Sequence, residues 1–492
     1  MRKLVLLILL PVFLSAQSVR TPLSKDNFTG WRTERGEWYE TGAVFMNPDE
    51  PNRLTALPGS GMYVNGVTGR TNHLVTFQEW DDMRLHIEFM VPENSNSGVY
   101  FMGRYEIQIR DSYKKESYNP GNECGGIYQR WDESRDPKGF EGHSPDIHAA
   151  RPPGQWQWFD AVFRAPRFDA NGNKIANAHF ERVFHNGYLI HENVELTGPT
   201  RASLYEDEQA TGPIMLQGDH GPVAYRRMWA APVDVNPFFA MDTGTRDEFH
   251  QSFEQQVEML RALGYDGMDH TGVENLDEKL HELDWHGLRL FAVYLDVWAD
   301  REKQWFNEGL GAAIQQLKGR DVVLWVPIRS NDFEASDTTG DEYAVNIVQD
   351  IADLAAQADV QVALYPHSFF LMETIDDALR IAQKANRPNV GVTFNLCHWL
   401  RTDNSDLEST LTEAAPYLKM VTINGADYEG EWDRLIQPLG RGEFDVSHVL
   451  NILNKIEYNG PIGLQGYGIG GDVAENLQQS MRAWSQMNHQ QY

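Results

Sequence analysis

From Phe238 onward, short apolar runs alternate with amphipathic ones, and this alternation limits the fold more than any other feature of the chain. The runs FFAM, YDGMD, GLRLFAVYL, DVVLWVPI, VQVALYP, NVGVTF, LKMVTIN and PIGLQ are short and nearly continuously apolar, as strands buried on both faces are. Between them, segments such as FEQQVEMLRALG and AVNIVQDIADLAAQA repeat apolar residues at intervals of three and four, and AENLQQSMRAW follows the last run. Eight strand-helix units in about 250 residues predict a closed (β/α)₈ barrel with its site at the carboxyl ends of the strands. A doubly wound open sheet is the alternative, and it requires two of the strands to be false.

Upstream the texture differs. Between Asn27 and Trp229 the runs MRLHIEFMV, GVYFM, YEIQI and FDAVFRAP alternate with period two between turn residues, which predicts an antiparallel all-β sandwich. The stretch AAPVDVNP at 230–237 marks the change, so a sandwich over 19–232 and a barrel over 233–492 are expected. The leading MRKLVLLILLPVFLSAQS has two basic residues, an apolar run from Leu4 to Leu14 and small residues around Ala16, the layout of a secretory signal peptide over 1–18. That run is too short to span a bilayer. The expectation is a soluble chain that is secreted or periplasmic. Cys124 and Cys397 are the only cysteines and fall in different domains, so no disulfide framework is expected.

The formal net charge of −29, with no basic cluster, argues against nucleic acid and anionic membrane surfaces as partners. A small-molecule or oligosaccharide substrate suits it better, and the oligomeric state is left open. At the predicted barrel mouth stand Asp242, Asp269 with His270, Asp296, Arg329, His367, Asn395 with His398, Asn424 and Gln465. A ring of polar groups closing apolar strands reads as a ligand pocket. His367 and His398 have a structural alternative, as satisfied histidines near a loop.

GYDGMD, VALYPHSFF, RPNVGVTFNLCHWL, MVTINGAD, PLGRGEFD and PIGLQGYGI resemble the xylose-isomerase-like sugar isomerase and epimerase barrels, over residues 238–486. The resemblance implies a divalent cation held at strands five to eight by Glu, Asp, His and Glu. Here the matching positions are Tyr365, Asn395, Thr422 and Gln465. A hard cation wants several anionic oxygens, so the inherited site is expected to be lost. His398 matches a substrate-contacting histidine, so Asn395 and His398 are read as a hydrogen-bonding grip on a polyol, and the barrel is expected to isomerise or epimerise a keto-sugar with His367 or His398 moving the proton and no metal. A relocated metal on His367, His398 and Asp242 or Asp269 is the competing expectation.

In the sandwich, Glu106 and Gln108 are two apart on one strand and share a face. A glycosidase of the ordinary kind wants two carboxylic acids flanking the bond, and Asp111 falls on the opposite face unless the strand has turned. Glu106 and Asp111 holding calcium, or pairing with Arg104 and Arg110, are the structural alternatives. Trp156, Trp158 and Trp229 are read mainly as sandwich core, with sugar stacking as the second option.

These stretches, with LSKDNFTGWR, GQWQWFDAVFRAPRFDANGNK, VFHNGYLIHENVELTGPT and the LQGDHG run, closely resemble the 3-keto-disaccharide hydrolases, a concanavalin-like jelly roll, over Thr21 to Pro232. The resemblance implies cleavage of glycosides already oxidised at C3, where the ketone acidifies the C2 proton and lets the aglycone leave by elimination, water then adding. Candidates for base or acid are His220, Glu106 and Asp219. The enolate would be held by Arg226, Gln217 or Gln108, with Asn96 and Tyr128 positioning the sugar and no cofactor required. A capping role in its turn is the bland alternative for His220. A lectin-like sandwich beside a catalytic or sugar-binding barrel is the second functional reading.

Overall fold

The computed structural model describes residues 20–24, 26–32, 34–115, 119–233, 235–402 and 406–489. The expected signal peptide lies outside the described residues. Among them no helix is long and apolar enough to cross a membrane.

The amino-terminal half is a sandwich of two antiparallel sheets. The larger has eight strands, in the order Tyr188–Leu196, Ala178–His185, Gln157–Arg164, Met83–Met90, Ala224–Ala231, Leu54–Val64, Tyr39–Met46, with Thr21–Pro22 beside Ala224–Ala231. The smaller runs Leu74–Trp80, Gly212–Leu216, Asn96–Phe101, Tyr105–Arg110. Alternation sends Leu85, Ile87 and Phe89 of one sheet and Val99, Ile107 and Ile109 of the other into a shared core. This is the sandwich that the period-two pattern predicts.

The second half is the closed barrel. Its strands are Phe238–Ala240, Gly267–Thr271, Arg289–Tyr294, Val323–Val326, Gln361–Leu364, Val390–Asn395, Leu418–Ile423 and Ile462–Leu464. The last pairs parallel with the first, Gly463 opposite Phe239, and that closure excludes the open-sheet alternative. Helices start where sequence caps them: Ser252 and Gln255 form a capping box before Phe253–Leu263, and Thr374 and Asp377 do so before Ile375–Ala385.

Every residue of Met83–Met90 is buried, although MRLHIEFM alternates like a strand with one wet face. Its polar set, Arg84, His86 and Glu88, is covered by the barrel. Arg84 bonds Asp160 of the same sheet at 2.6 Å and Asp266 of the barrel at 2.8 Å, while Arg261 reaches Glu88 at 2.9 Å. The Leu189 amide donates to the Gly319 carbonyl at 2.7 Å. Asp266, Arg289 and Asp321 stand at the amino ends of the second, third and fourth barrel strands, so the barrel docks by its amino-terminal face onto the outer side of the larger sheet. Consequently the barrel mouth and the outer face of the smaller sheet open on opposite sides of the molecule.

This docking corrects the reading of Trp158 and Trp229, and the outward turn of Trp156 corrects the third. Trp158 donates its Nε1 hydrogen to the Asp284 carbonyl at 3.0 Å, and Trp229 stacks on His86 beneath Arg20. Trp156 lies under Arg226. All three project from the outer side of the larger sheet, outside both the sandwich core and the smaller sheet's groove.

Candidate functional sites

Strand register decides which side chains meet on the smaller sheet. Tyr100 lies opposite Glu106, Gly98 opposite Gln108, and Met215 opposite Tyr100. Because Val99, Ile107 and Ile109 face the core, Asn96, Tyr100, Glu106 and Gln108 face outward. Val75, Tyr100 and Met215 form a separate apolar cluster on that side, a floor for the groove.

Glu106 is 1% exposed, and neither carboxyl oxygen has a hydrogen-bond partner. Burial raises its pKa to about 8; Tyr100, near but without hydrogen-bond geometry, opposes the shift in part, and the Asp219 charge adds to it. At neutral pH this carboxyl keeps its proton. Asn96 Oδ1, Gln108 Oε1, Gln217 Oε1 and the Tyr100 hydroxyl are likewise buried without partners. Native interiors leave few such groups, and here several are concentrated on one sheet face.

The LQGDHG run completes the groove. The Gln217 amide donates to the Gly98 carbonyl at 2.9 Å, placing Gln217 beside the Glu106 strand pair. Asn65 Nδ2 donates to the Gly218 and Gly221 carbonyls at 3.1 and 2.8 Å, and Gly69, at φ +59°, lets the two loops touch. The clamped loop presents Asp219, whose Oδ1 lies 2.6 Å from His220 Nδ1. A carboxylate on Nδ1 favours the tautomer with a bare Nε2, the form of a general base. His73, 3.9 Å from the same Asp219 oxygen, has its pKa lowered by burial and, secondarily, by His220, with Asp219 opposing. The Tyr128 amide donates to the Glu106 carbonyl at 3.1 Å, so Tyr128 flanks the edge of the sheet.

Thus Asn96, Glu106, Gln108 and Gln217 share one face of the smaller sheet, with Asp219 and His220 on the loop beside it and Tyr128 at its edge. Arg226 is not among them. Its neighbour Tyr225 points into the core, so Arg226 points out of the larger sheet and binds Glu88 at 2.6 Å. The expected calcium pair is also not assembled: Asp111 accepts the Asn94 amide hydrogen at 2.9 Å and pairs with Lys115. Nor does Glu106 pair with arginine, since Arg104 holds Asp207 and Arg110 holds Asn122. Tyr100 and Gly98 were missed in the sequence, though alternation along NSGVYF carries the signal for both.

In the barrel, Tyr365, Asn395, Asn424 and Gln465 all come to the mouth. Asn395 Nδ2 bonds the Tyr365 hydroxyl, and Asn424 Nδ2 is held by the Gly425 and Leu435 carbonyls. His367 and His398 lie ring to ring at 4.0 Å. Burial, with Arg329 adding and the Ser368 carbonyl opposing, lowers the His367 pKa to about 4; burial and His367 hold His398 well below the ordinary range. His398 Nδ1 lies 3.1 Å from the Ser368 hydroxyl. Asp242 is occupied by Thr271, and among the described residues no three His, Cys, Asp or Glu side chains gather as metal ligands. The relocated metal site is therefore not assembled. His270 is corrected too: its Nε2 is turned to the Glu274 carbonyl, beside Phe253.

A buried carboxyl with unpartnered polar neighbours on the sandwich, and polar side chains at the carboxyl ends of the barrel strands, are the two candidate sites of the chain. Residues 23–231 match the family model of the 3-keto-alpha-glucoside-1,2-lyase-like domain, and residues 257–487 match that of the xylose isomerase-like TIM barrel. The chain thus carries one region similar to each of these two families.

Proteins of Mus musculus and Homo sapiens provisionally named hydroxypyruvate isomerase are 27% and 26% identical over 120 residues, 24% of this chain and 40% of theirs. A solved structure from Parabacteroides distasonis, provisionally described as a glycosyl hydrolase, is 24% identical with a TM-score of 0.33, covering 44% of this chain and 84% of its own. The 3-keto-D-glucoside 4-epimerase of E. coli is 18% identical with a TM-score of 0.44, covering 51% and 99%.

Proposed function

We propose that the sandwich domain cleaves 3-keto-glycosides by elimination and hydration. The observation that carries this reading is the pairing, in one groove, of a buried carboxyl that keeps its proton at neutral pH with a histidine polarised by Asp219. His220 Nε2 takes the proton from C2, next to the C3 ketone. The electron pair left on C2 is delocalised onto the ketone oxygen as an enolate, which the amides of Gln108 and Gln217 face. The enolate then collapses to a C1–C2 double bond as the C1–O bond breaks, and Glu106 gives its proton to the departing oxygen. Water adds its oxygen to C1 and a proton to C2, so the products are the 3-keto-sugar and the free aglycone alcohol. The acid and base roles are divided by environment, one group desolvated and the other half exposed.

For the barrel we propose sugar binding in preference to isomerisation, because burial lowers the pKa of His367 and His398 and so makes both weak proton acceptors, and Ser368 occupies Nδ1 of His398. The reaction is placed outside the cytoplasm on the strength of residues 1–18. An intact mass matching a chain that begins after Ser18 would support export; an unprocessed chain would count against it.

The test is a time course by mass spectrometry and NMR in deuterium oxide, with a 3-keto-disaccharide and its unoxidised parent. Cleavage of the keto substrate alone, with deuterium at C2, is the expected result. Binding of both sugars without cleavage would instead favour a lectin-like sandwich.

A further inference from the structure

Within the barrel, alternation along each strand turns every second side chain toward the axis. Phe239, Phe291, Val323, Trp325 and Met420 form an apolar floor there with Tyr365. Beside and above them, other inward positions are polar. Asp269 Oδ2, Thr393 Oγ1, Thr422 Oγ1 and Asn424 Oδ1, together with Trp325 Nε1, have no hydrogen-bond partner. All five residues are at most 1% exposed. Each such group weakens a fold unless something pairs with it, and here four strands contribute them to one interior.

The donor set does not fit the divalent cation that the barrel's family resemblance implies. Tyr365, Asn395, Thr422 and Gln465 bring neither carboxylate nor imidazole, and Tyr365 and Asn395 are bonded to each other. Cys397 Sγ donates to Asn395 Oδ1 at 3.2 Å, which occupies that amide oxygen. Asp269 is the single carboxylate among the unpartnered atoms, and its other oxygen accepts the Asp242 amide hydrogen. A hard cation would find its charge largely uncompensated.

We infer that the barrel interior is a metal-independent site for a neutral, monosaccharide-sized polyol, separate from the sandwich groove. Hydroxyls both donate and accept, so a polyol satisfies the indole hydrogen and the oxygens of Thr393, Thr422 and Asn424 together, while its C–H face rests on Trp325 and Tyr365. Burial and the neighbouring Asp242 charge favour the protonated Asp269 carboxyl, which makes it one more neutral partner. The choice of a sugar as the polyol rests on the sugar-directed reading above; the site itself rests on barrel residues alone.

Calorimetric titration of the full chain with D-glucose and with 3-keto-glucose, before and after chelator dialysis, tests this. Sugar binding should survive chelation, persist in Glu106→Gln, and weaken at least ~10-fold in Thr393→Val/Thr422→Val. The double variant should melt no lower than wild type, because it removes two unpaired hydroxyls, and this separates lost binding from lost folding. No binding heat from either sugar, loss of binding on chelation, or undiminished binding in the double variant would overturn the inference. Each of these outcomes leaves the cleavage assay of the sandwich unaffected, so the two readings fail separately.

Discussion

The Glu106 carboxyl occupies the space where a side chain at Gly98 would begin: a Cβ there would stand 2.0 Å from Glu106 Oε1. Gly98 is not at positive φ, so its glycine serves the neighbouring acid rather than a turn. Gly98→Ala should push the flexible end of Glu106 out of its pocket while leaving the strand paired. A displacement of about an ångström at a reacting group costs roughly 10²-fold. Turnover of a 3-keto-glycoside should therefore fall by about that factor with far-UV circular dichroism unchanged; activity within twofold of wild type would show that the carboxyl's position is immaterial.

The raised pKa of Glu106 fixes the sign of a pH effect. The folded chain holds a proton that the unfolded chain gives up near the ordinary carboxyl value, so stability declines as pH rises from there to about 8 and then levels off. Glu106→Gln cannot ionise. It should match wild type in acid and become progressively more stable up to about pH 8, as read by melting temperature. If the acid role is right, wild-type turnover should also fall as pH passes about 8. A melting difference independent of pH would refute the buried neutral carboxyl.

Asp219 and His220 are nearly half exposed, so their substitution tests chemistry with little structural cost. His220→Ala should abolish deuterium incorporation at C2 together with cleavage. Asp219→Asn should slow both by ~10²–10⁴-fold, the usual worth of a positioned acid or base. Cleavage that persists in His220→Ala with C2 exchange intact would move the base elsewhere in the groove.

Much of this arrangement was legible locally. Period-two alternation places Glu106 and Gln108 on one face, and applied to NSGVYF it would have added Gly98 and Tyr100. The eight apolar runs fixed the barrel because strands buried on both faces leave a strong signal. Arg226 was misplaced because its cationic chemistry suits an enolate but says nothing of its direction, and the strand turns Tyr225 inward and Arg226 outward. The fate of Trp158 and Trp229 was not readable from their own segments. It depends on a surface supplied by Asp266, Asp284 and Arg261, more than fifty residues away along the chain from Trp158.

That covered face yields the last prediction. Arg84 is the shared partner of Asp160 and Asp266, and all three are buried. Burial alone would raise the Asp160 carboxyl, but the Arg84 charge outweighs it and holds the group well below the ordinary carboxylate range. Removing the arginine therefore leaves two buried carboxylates, one with only Arg20 opposite it and the other with His86 at 3.9 Å. Arg84→Ala should cost about 3–5 kcal/mol, the usual penalty for stranding a buried charge. Arg84→Ala/Asp160→Asn should recover part of that loss, since one stranded carboxylate is gone. Urea denaturation followed by tryptophan fluorescence reads both, because Trp158 and Trp229 sit on the same face. A single Arg84→Ala with a wild-type midpoint would mean that the barrel does not hold to the larger sheet through this arginine.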